Sequence, residues 1–317
     1  MALLPFVKVE GLGNDFLVVD LRPGKPAFAL AELVQKPDTV RALCDRHFGV
    51  GGDGVLAILP GERGDARMRV LNADGGEAEM CGNGIRCVAK ILYDGDEALR
   101  RPTLHIDTGA GLLACTMGVE NQRATSVAVE MGGPELAARL VPVASEAPRL
   151  VRAPLRLRKG ESRFAFTAVS MGNPHAVIFV DDPDANLGQL AEVHGPGIEV
   201  DPLFPRRTNV EFAAVRRKVG HAPEIDLVVW ERGCGITLAC GTGACATVVA
   251  ACLEGRIEPD RETAVNLPGG TLHITAKSGA AGPDGPTFAG VTMRGPANIV
   301  FEAAIDPASI HLPKAGM

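Results

Sequence analysis

The chain has 317 residues, 46% of them hydrophobic and 22% charged, with a formal net charge of −6 and a pI near 5.7. This length suffices for two domains with separate cores. The acidic balance and the lack of a long Lys/Arg cluster argue against nucleic acid or an anionic membrane as a partner. The start, MALLPFVKVEG, lacks the basic and apolar segments of a signal peptide, so none is expected.

The first half of the chain is predicted to form short strands and two helices. A Gly-Asn turn leads into an apolar strand at 9–20, VEGLGNDFLVVD, and a helix is expected from Val40 to His47. The segment MCGNGIRC at 80–87 is typical of a tight loop that opens a helix. That helix is expected to bury one apolar face, formed by Ile85, Val88, Ala89 and Leu92.

The second half of the chain repeats segments of the first half in the same order. The matched pairs are 9–20 with 169–180, 69–84 with 228–243, 104–117 with 264–276, and 127–136 with 291–300. The run ACATVVAACL at 244–253 is apolar on all sides, which is typical of a helix enclosed by a sheet. The stretch 134–160 is predicted to be a connection with some strand in it. Four blocks in one order predict two copies of an α/β unit of about 150 residues each.

Two cysteines, Cys81 and Cys240, occupy matching frames in these copies, MCGNG and ACGTG. Each precedes a predicted helix start, where unpaired backbone N–H groups and the helix dipole favour a thiolate. Such an environment lowers a cysteine pKa from about 8.5 to roughly 3.5–7.5. One such site indicates a nucleophile, whereas two mirror-like sites indicate an acid and a base that face each other across one substrate.

The chain contains eight cysteines but no C-x-x-C pair, and its C-x5-C spacings are poor for tetrahedral zinc. In a chain of this size without a secretion signal, reduced thiols in the cytoplasm are the better interpretation. The six cysteines other than Cys81 and Cys240 are expected to be small buried apolar residues. No Walker loop, no dinucleotide fingerprint and no lysine in a pyridoxal-phosphate setting is present, so the sequence predicts no cofactor and no metal.

Several polar residues stand at predicted turns near these loops. Arg232 is suited to bind a substrate carboxylate, and Glu231 is suited to bind an ammonium group. His175, in GNPH, follows a fixed turn and is able to tune a thiolate. Four asparagines can supply neutral donors and acceptors for an amino-acid head group: Asn14, Asn72, Asn173 and Asn209.

The blocks GLGNDF, RHFGVGGDG, NADGGEAEMCGNGIRC, SMGNPH, TNVEF and ERGCGITLACGTGA resemble those of the diaminopimelate epimerase family, in that family's order, over nearly the whole chain. The resemblance implies a cofactor-independent enzyme that interconverts LL- and meso-2,6-diaminopimelate for lysine and peptidoglycan synthesis. In the direction from the LL substrate, Cys240 is the implied proton acceptor and Cys81 the donor, with His175 and Glu231 adjusting the thiol pKa values. The implied substrate-binding residues are Asn14, Asn72, Gly82, Asn83, Asn173, Asn209, Glu231, Arg232, Gly241 and Thr242.

The resemblance also implies an α/β (α+β) fold with two pseudo-symmetric lobes, each a strongly curved, mostly antiparallel sheet around a central helix. The family pattern exchanges the last strands between lobes. It assigns 1–125 with 296–317 to the lobe that carries Cys81, and 126–295 to the lobe that carries Cys240. A cytoplasmic homodimer with a small amino-acid substrate, and with neither nucleic acid nor membrane as a partner, is expected.

Two positions depart from the family pattern. Gly54 stands where some members have a polar residue for substrate contact, and Ile236 stands where a Glu is common. Extra residues occur around 134–163 and 280–287. Within the superfamily, proline racemase and hydroxyproline epimerase are the alternative, although their first block has the form C-G-H-G where this chain has Asn83. A non-catalytic thiol-redox or metal-binding protein is the alternative from another class, to be distinguished by titrating free thiols and metal content.

Overall fold

The computed structural model describes residues 3–156, 163–182 and 184–310. The chain divides into two compact units, which we call unit 1 (Met1–Val129 and Gly295–Met317) and unit 2 (Glu130–Arg294). Each unit combines one mixed sheet with a few helices. The predicted α+β class is therefore confirmed.

The sheet of unit 1 follows the order β18-β1-β2-β3-β4-β6-β7-β8, with the short β5 beside β4. The pairs β2–β3 and β4–β6 are parallel and the others antiparallel. The strands are β1 (Leu4–Gly11), β2 (Asn14–Asp20), β3 (Gly54–Leu59), β4 (Ala66–Asn72), β5 (Glu77–Ala78), β6 (Thr103–Thr108), β7 (Gly111–Glu120), β8 (Arg123–Glu130) and β18 (Asn298–Ile305). The helices are α1 (Ala31–Val34), α2 (Pro37–Cys44) and α3 (Gly82–Gly95), with 3₁₀ turns at Phe28–Leu30, Glu97–Leu99 and Pro307–Ser309.

Helix α3 lies at the centre of unit 1, in contact with β1, β2, β3, β4, β6 and β7. A sheet in which six successive strands all reach one helix must curve around it. The face of α3 predicted from Ile85, Val88, Ala89 and Leu92 is buried, as expected. The opposite face of the sheet packs under α1 and α2 in a second core that includes Leu17, Val19, Val40, Leu43 and Val55.

The sheet of unit 2 follows the order β9-β10-β11-β12-β13-β15-β16-β17, with the short β14 beside β13. Its parallel pairs are β11–β12 and β13–β15. The strands are β9 (Ala153–Arg156), β10 (Arg163–Ser170), β11 (Pro174–Phe179), β12 (Asn209–Arg216), β13 (Glu224–Glu231), β14 (Gly235–Ile236), β15 (Thr263–Leu267), β16 (Gly270–Ser278) and β17 (Phe288–Pro296). The helices are α4 (Leu187–Glu199) and α5 (Gly241–Leu253).

Helix α5 is the central helix of unit 2 and contacts β10, β11, β12 and β16. Nearly all of its residues are buried, which fits the apolar run that predicted it. Helix α4 covers the other face of the sheet, where Phe166, Phe204 and Phe212 belong to one core cluster. Side chains alternate across β12, so Val210 and Phe212 join this outer core while Glu211 lies between them on the face toward α5.

The two units therefore repeat one topology. Their parallel pairs occupy the same places in the ladder, and the parallel register that joins Phe16 to Gly54 in unit 1 joins His175 to Asn209 in unit 2. This register makes Leu56 in β3 the counterpart of Glu211 in β12. The predicted repeat of one α/β unit is confirmed, although the register makes Phe16 the counterpart of His175, one residue away from a direct alignment of 9–20 with 169–180.

One predicted helix has the wrong bounds. The helix expected from Val40 to His47 is α2, Pro37–Cys44. Pro37 fits the first helical position, where no intrahelical N–H bond is lost. Asp45 ends the helix, because its backbone is extended and its carboxylate accepts the N–H groups of His47 and Phe48.

The predicted connection at 134–160 contains the strand β9 and an isolated bridge between Glu135 and Ser170. Residues 157–162 of that connection lie outside the described part of the chain. The extra residues at 280–287 form a turn with a bridge between Gly282 and Gly285. Among the residues described, none of the helices has both the length and the apolar character needed to cross a bilayer.

Candidate active-site loops

Cys81 is the N-cap residue of α3, in the extended conformation that precedes a helix. Its Sγ accepts a hydrogen bond of 3.3 Å from the backbone N–H of Gly84. A side chain at Gly84 would lie 3.0 Å from a methyl group of Leu56, so the helix approaches β3 more closely than a larger residue allows. The MCGNG sequence therefore places a half-buried thiol among the first N–H groups of the helix.

Asn14 links β2 to this loop. Its Oδ1 lies 3.8 Å from Cys81 Sγ, which donates to it, and 3.4 Å from Asn83 Nδ2. Its Nδ2 donates to Asp53 Oδ2 at 2.5 Å, which leaves Oδ1 directed toward the thiol. Asp53 itself pairs with Arg46. Neither Asp53 nor Arg46 was singled out from the sequence, although both belong to the RHFGVGGDG block.

Asn72 stands at the end of β4, opposite Gly54 in β3. Among the described residues no hydrogen bond joins its side chain to the Cys81 loop. A side chain at Gly54 would lie 2.6 Å from the carbonyl oxygen of Leu71. The polar residue that some relatives carry at this position therefore does not fit the present β3–β4 spacing.

Arg86 is a fully buried cation at the start of α3. Its guanidinium donates to the carbonyl oxygens of Gly82, at 3.0 Å, and Pro296, at 3.1 Å. A positive charge held one turn beyond Cys81 favours negative charge at the helix start. Sequence reasoning missed this residue, whose signal was an arginine inside the otherwise apolar face of the predicted helix.

Cys240 is the N-cap residue of α5 and is only 6% exposed. Its Sγ lies 3.5 Å from Thr242 Oγ1. A side chain at Gly243 would lie 3.3 Å from that Sγ and 3.1 Å from Glu211 Oε1. Sulfur and carboxylate therefore both border the space beside Gly243 and lie no more than 6.4 Å apart, the sum of those two distances.

Burial raises the pKa of Cys240 well above that of an ordinary cysteine, and the negative charges of Glu231 and Glu211 act in the same direction. The Thr242 hydroxyl and the Gly243 N–H lower the pKa but do not offset those effects. The low pKa expected from the helix start is therefore wrong for Cys240. Here the free-energy cost of removing a thiolate from water exceeds the stabilisation that the helix N-terminus provides.

His175 is fully buried in β11, where it contacts two of the neighbouring polar side chains. Its Nδ1 lies 2.7 Å from Glu211 Oε1 and its Nε2 lies 3.0 Å from Asn173 Oδ1. Asn173 Nδ2 in turn donates to Thr242 Oγ1 at 3.3 Å. Two predicted residues, His175 and Asn173, are thus joined to the Cys240 loop through Thr242. The sequence analysis did not single out Glu211, although its TNVEF block places one acid inside an apolar strand.

Asn209, Glu231 and Arg232 shape the turn after β13. The amide of Asn209 bridges the carbonyl oxygen of Pro174 and the N–H of Arg232, both at 2.9 Å. Glu231 accepts a hydrogen bond from Thr237 at 2.5 Å, while Arg232 is exposed. Glu199, at the end of α4, fixes the same turn because it accepts the Gly233 N–H and the Trp230 indole N–H. Glu199 is another residue that sequence reasoning missed.

All eight cysteines lie in the described part of the chain, and none of them forms a disulfide. Burial raises the pKa of Cys44, Cys87 and Cys115 to about 12, so these three stay protonated at neutral pH. The expectation that the other six cysteines are buried is wrong for Cys234, which is exposed beside the Gly233 turn, and for Cys252, which is half-buried. Over residues 3–156, 163–182 and 184–310, no group of three or more His, Cys, Asp or Glu is arranged to hold a metal ion.

Sequence comparison identifies the relatives of this chain. The profile of the diaminopimelate epimerase family matches residues 6–137 and 167–300. A diaminopimelate epimerase from Desulfitobacterium hafniense is 47% identical over 303 residues, which cover 95% of this chain and 98% of that protein. Another from Synechocystis is 48% identical over 275 residues, covering 86% and 90%.

Two solved structures with a similar fold belong to proteins with other names. A hydroxyproline epimerase from Agrobacterium vitis has a TM-score of 0.64 at 16% identity, covering 99% of this chain and 95% of its own. A PhzF-family phenazine biosynthesis protein from Bacillus anthracis has a TM-score of 0.62 at 15% identity, covering 96% and 100%. At these identities the likeness shows the fold alone.

Proposed function

Because this chain belongs to the diaminopimelate epimerase family, we propose that it interconverts LL- and meso-2,6-diaminopimelate, with Cys81 and Cys240 as its acid/base pair. The product serves lysine and peptidoglycan biosynthesis. The observation that carries this proposal is a reduced cysteine at the N-cap of the central helix in each of two equivalent units. Inversion at carbon needs one group that removes a proton from one face and another that returns a proton to the opposite face.

The chemistry requires a strong base and a stabilised carbanion. The Cα proton of an amino acid is very weakly acidic, and a neutral thiol does not remove it. Burial raises the pKa of Cys240, so its thiolate, once formed, is a stronger base than that of an exposed cysteine. The backbone N–H groups of Gly82 and Asn83, and those of Gly241 and Thr242, are available at the two helix starts for the substrate carboxylate and for the negative charge that develops beside it.

The hydrogen bonds around the two thiols favour different roles for them. Each sulfur accepts a backbone N–H, but Cys81 Sγ also lies against Asn14 Oδ1, an acceptor that only a protonated sulfur can use. Cys240 Sγ lies against the Thr242 hydroxyl and the Gly243 N–H, both of which can donate to a thiolate. We therefore assign Cys240 as the proton acceptor and Cys81 as the donor in the direction from the LL substrate. The two thiols exchange roles in the reverse direction.

The remaining polar residues are assigned to the substrate. The exposed guanidinium of Arg232 suits a carboxylate, and the Glu231 carboxylate suits an ammonium group. Glu231 and His175 also set the protonation of Cys240. The neutral donors and acceptors for the amino-acid head groups are Asn14, Asn72, Asn83, Asn173, Asn209 and Thr242.

The test is conversion of LL-2,6-diaminopimelate by the purified protein without added cofactor, followed by chiral chromatography of the product. We expect meso-2,6-diaminopimelate to accumulate until the two stereoisomers reach equilibrium. L-Proline and trans-4-hydroxy-L-proline serve as controls and should stay unchanged. Inversion of either control without turnover of diaminopimelate would refute the assigned substrate, although not the paired-thiol chemistry.

The protein is further proposed to be a cytoplasmic homodimer. Eight cysteines without a disulfide suit a reducing compartment. In unit 1, strand β18 leaves Val300 55% exposed and Phe301 44% exposed, an apolar strand suited to burial against a second copy. Sedimentation equilibrium should give a dimer, and Val300→Lys should shift it toward monomer. A wild-type monomer at micromolar concentration would refute this part of the proposal.

A further inference from the structure

Glu211 is a buried acid to which the proposed reaction gives no task. It is 0% exposed, on the face of β12 toward α5, and burial raises the pKa of its carboxyl. Its Oε2 is buried and has no hydrogen-bond partner among the described residues. A carboxyl group in such a place costs stability, so its retention points to a role beyond packing.

A chain of hydrogen bonds joins Glu211 to Cys240. The steps are Glu211 Oε1 to His175 Nδ1 at 2.7 Å, His175 Nε2 to Asn173 Oδ1 at 3.0 Å, Asn173 Nδ2 to Thr242 Oγ1 at 3.3 Å, and Thr242 Oγ1 to Cys240 Sγ at 3.5 Å. All five residues belong to unit 2. The chain begins at a buried acid and ends at the proposed proton acceptor.

The partners of each group determine which atom donates in every hydrogen bond of this series. His175 faces two oxygen atoms, so Nε2 must carry a hydrogen to bond Asn173 Oδ1, and one further proton is shared between Nδ1 and Glu211 Oε1. With Oδ1 occupied in this way, Asn173 presents its N–H to Thr242 Oγ1. The hydrogen of the Thr242 hydroxyl is then left to point toward Cys240 Sγ.

Unit 1 lacks the first two members, the acid and the histidine, of this hydrogen-bond chain. By the strand register, Phe16 is the counterpart of His175 and Leu56 the counterpart of Glu211. The helix contacts agree, because the space beside Gly84 is bordered by Leu56 where that beside Gly243 is bordered by Glu211. The acid and the histidine are thus specific to the unit that carries Cys240, rather than part of the repeated fold.

We propose that Glu211 is a positioning residue for Cys240, acting through His175, Asn173 and Thr242 to keep the Thr242 hydroxyl donating to the sulfur. This inference rests on the proposed function only for the role of Cys240 in catalysis. The proton shared by Glu211 and His175 offsets the negative charge by which Glu211 raises the pKa of Cys240, and it also fixes the direction of the hydrogen-bond chain. The other charged group that acts on Cys240 is Glu231, which is held by Thr237 and is not part of the chain.

The test measures the thiolate of each cysteine without substrate. Alkylation by iodoacetamide is followed for Cys240 and Cys81 by peptide mass spectrometry between about pH 6 and 9, because only the thiolate reacts. In Glu211→Leu, which places at 211 the side chain that unit 1 has at the equivalent position, His175 Nδ1 loses its partner and the shared proton. The remaining hydrogen is then no longer fixed on His175 Nε2, so the Asn173 amide can turn and the Thr242 hydrogen is no longer held toward Cys240. We expect alkylation of Cys240 near neutral pH to slow about tenfold, as for the loss of one hydrogen bond to a charged group, and that of Cys81 to stay unchanged.

A double-mutant cycle separates the chain from an effect through space. In a Thr242→Val background, Glu211→Leu should have no further effect on Cys240, because the last hydrogen bond is already absent. Asp107→Asn is the control for loss of a buried carboxylate, since Asp107 in unit 1 accepts the N–H groups of the 62–64 turn, pairs with Arg63, and should leave Cys240 unchanged when replaced. An unchanged or faster alkylation of Cys240 in Glu211→Leu, or an effect that persists in the Thr242→Val background, would overturn the proposal.

A second measurement needs no variant. Side-chain ¹⁵N spectra of the wild-type protein should show a hydrogen on Nε2 of His175 at neutral pH. An Nε2 atom without a hydrogen would refute the proposed direction of the hydrogen bonds from Glu211 to Cys240. Both measurements are independent of turnover. A positive result together with an absence of diaminopimelate epimerisation would refute the proposed substrate and leave the role of Glu211 intact.

Discussion

The helix starts at Cys81 and Cys240 share one construction but differ in their buried charges. Both cysteines cap the central helix of their unit. Three residues after each cysteine a glycine, Gly84 or Gly243, packs against equivalent positions of β3 and β12. Around Cys81 the buried ionic group is the Arg86 guanidinium, whose counterpart in α5 is Cys245. Around Cys240 it is the His175–Glu211 pair. The repeated fold thus places the two thiols alike, while the buried charged groups beside them differ.

Removal of either thiol should have the largest effect. Cys81→Ala and Cys240→Ala should each lower kcat/KM by about 10²- to 10⁴-fold or more, because each removes an acid or a base from the reaction. The two losses should not multiply, and the double variant should be about as inactive as the worse single variant, since the two groups act as a unit. Cys115→Ser and Cys252→Ser are matched controls that should affect mainly stability. A Cys240→Ala enzyme that still inverts the substrate at a near-normal rate would contradict the role of Cys240 as one of the two acid/base groups.

The glycines that pack beside the two thiols, Gly84 and Gly243, offer the next test. Gly243→Ala brings a methyl group to 3.3 Å from Cys240 Sγ and 3.1 Å from Glu211, so the sulfur must shift by a few tenths of an ångström. We expect kcat/KM to fall about tenfold, since small displacements of reacting groups are costly. Gly84→Ala presses on the flexible end of Leu56 and should lower the unfolding midpoint more than the activity. Equal kinetic losses in both variants would show that the two loops tolerate crowding alike.

Glu231 should distinguish the two thiols electrostatically. Burial is the main cause of the raised pKa of Cys240 and the Glu231 charge is the next. Glu231→Gln removes that charge, so the pKa of Cys240 should fall and its thiolate should form at lower pH. Iodoacetamide labelling of the free enzyme should show this shift for Cys240 and none for Cys81. Asp226→Asn, on the same strand, is the control for loss of an acid.

Arg86 should matter for stability in unit 1. Arg86→Met leaves the carbonyl oxygens of Gly82 and Pro296 without their donor, which should cost about 1–3 kcal/mol. Urea denaturation followed by circular dichroism measures the loss. A variant as stable as the wild type would show that water or a backbone shift replaces the guanidinium.

The sequence was most informative where a pattern repeats. The two C-G-x-G frames and their flanking apolar runs predicted α3, α5 and the paired strands, because helix starts and strand alternation follow local rules. Helix α2 was misplaced because its end depends on the hydrogen bonds of Asp45 rather than on apolar spacing.

The buried charges could not be predicted in the same way. Glu211 and Arg86 each occupy an apolar pattern, and their roles depend on which residues the fold brings beside them. The raised pKa of Cys240 has the same origin, since the helix start is visible in the sequence and the burial is not.

The incorporation of solvent deuterium tests the two-thiol mechanism most directly. When LL-2,6-diaminopimelate is converted in D₂O, the thiolate that removes a proton is not the thiol that returns one. Product formed early should therefore carry deuterium at the inverted carbon, while unreacted substrate stays protonated. If early substrate exchanged its proton as fast as product formed, a single base would be acting on one face and the paired roles of Cys81 and Cys240 would be wrong.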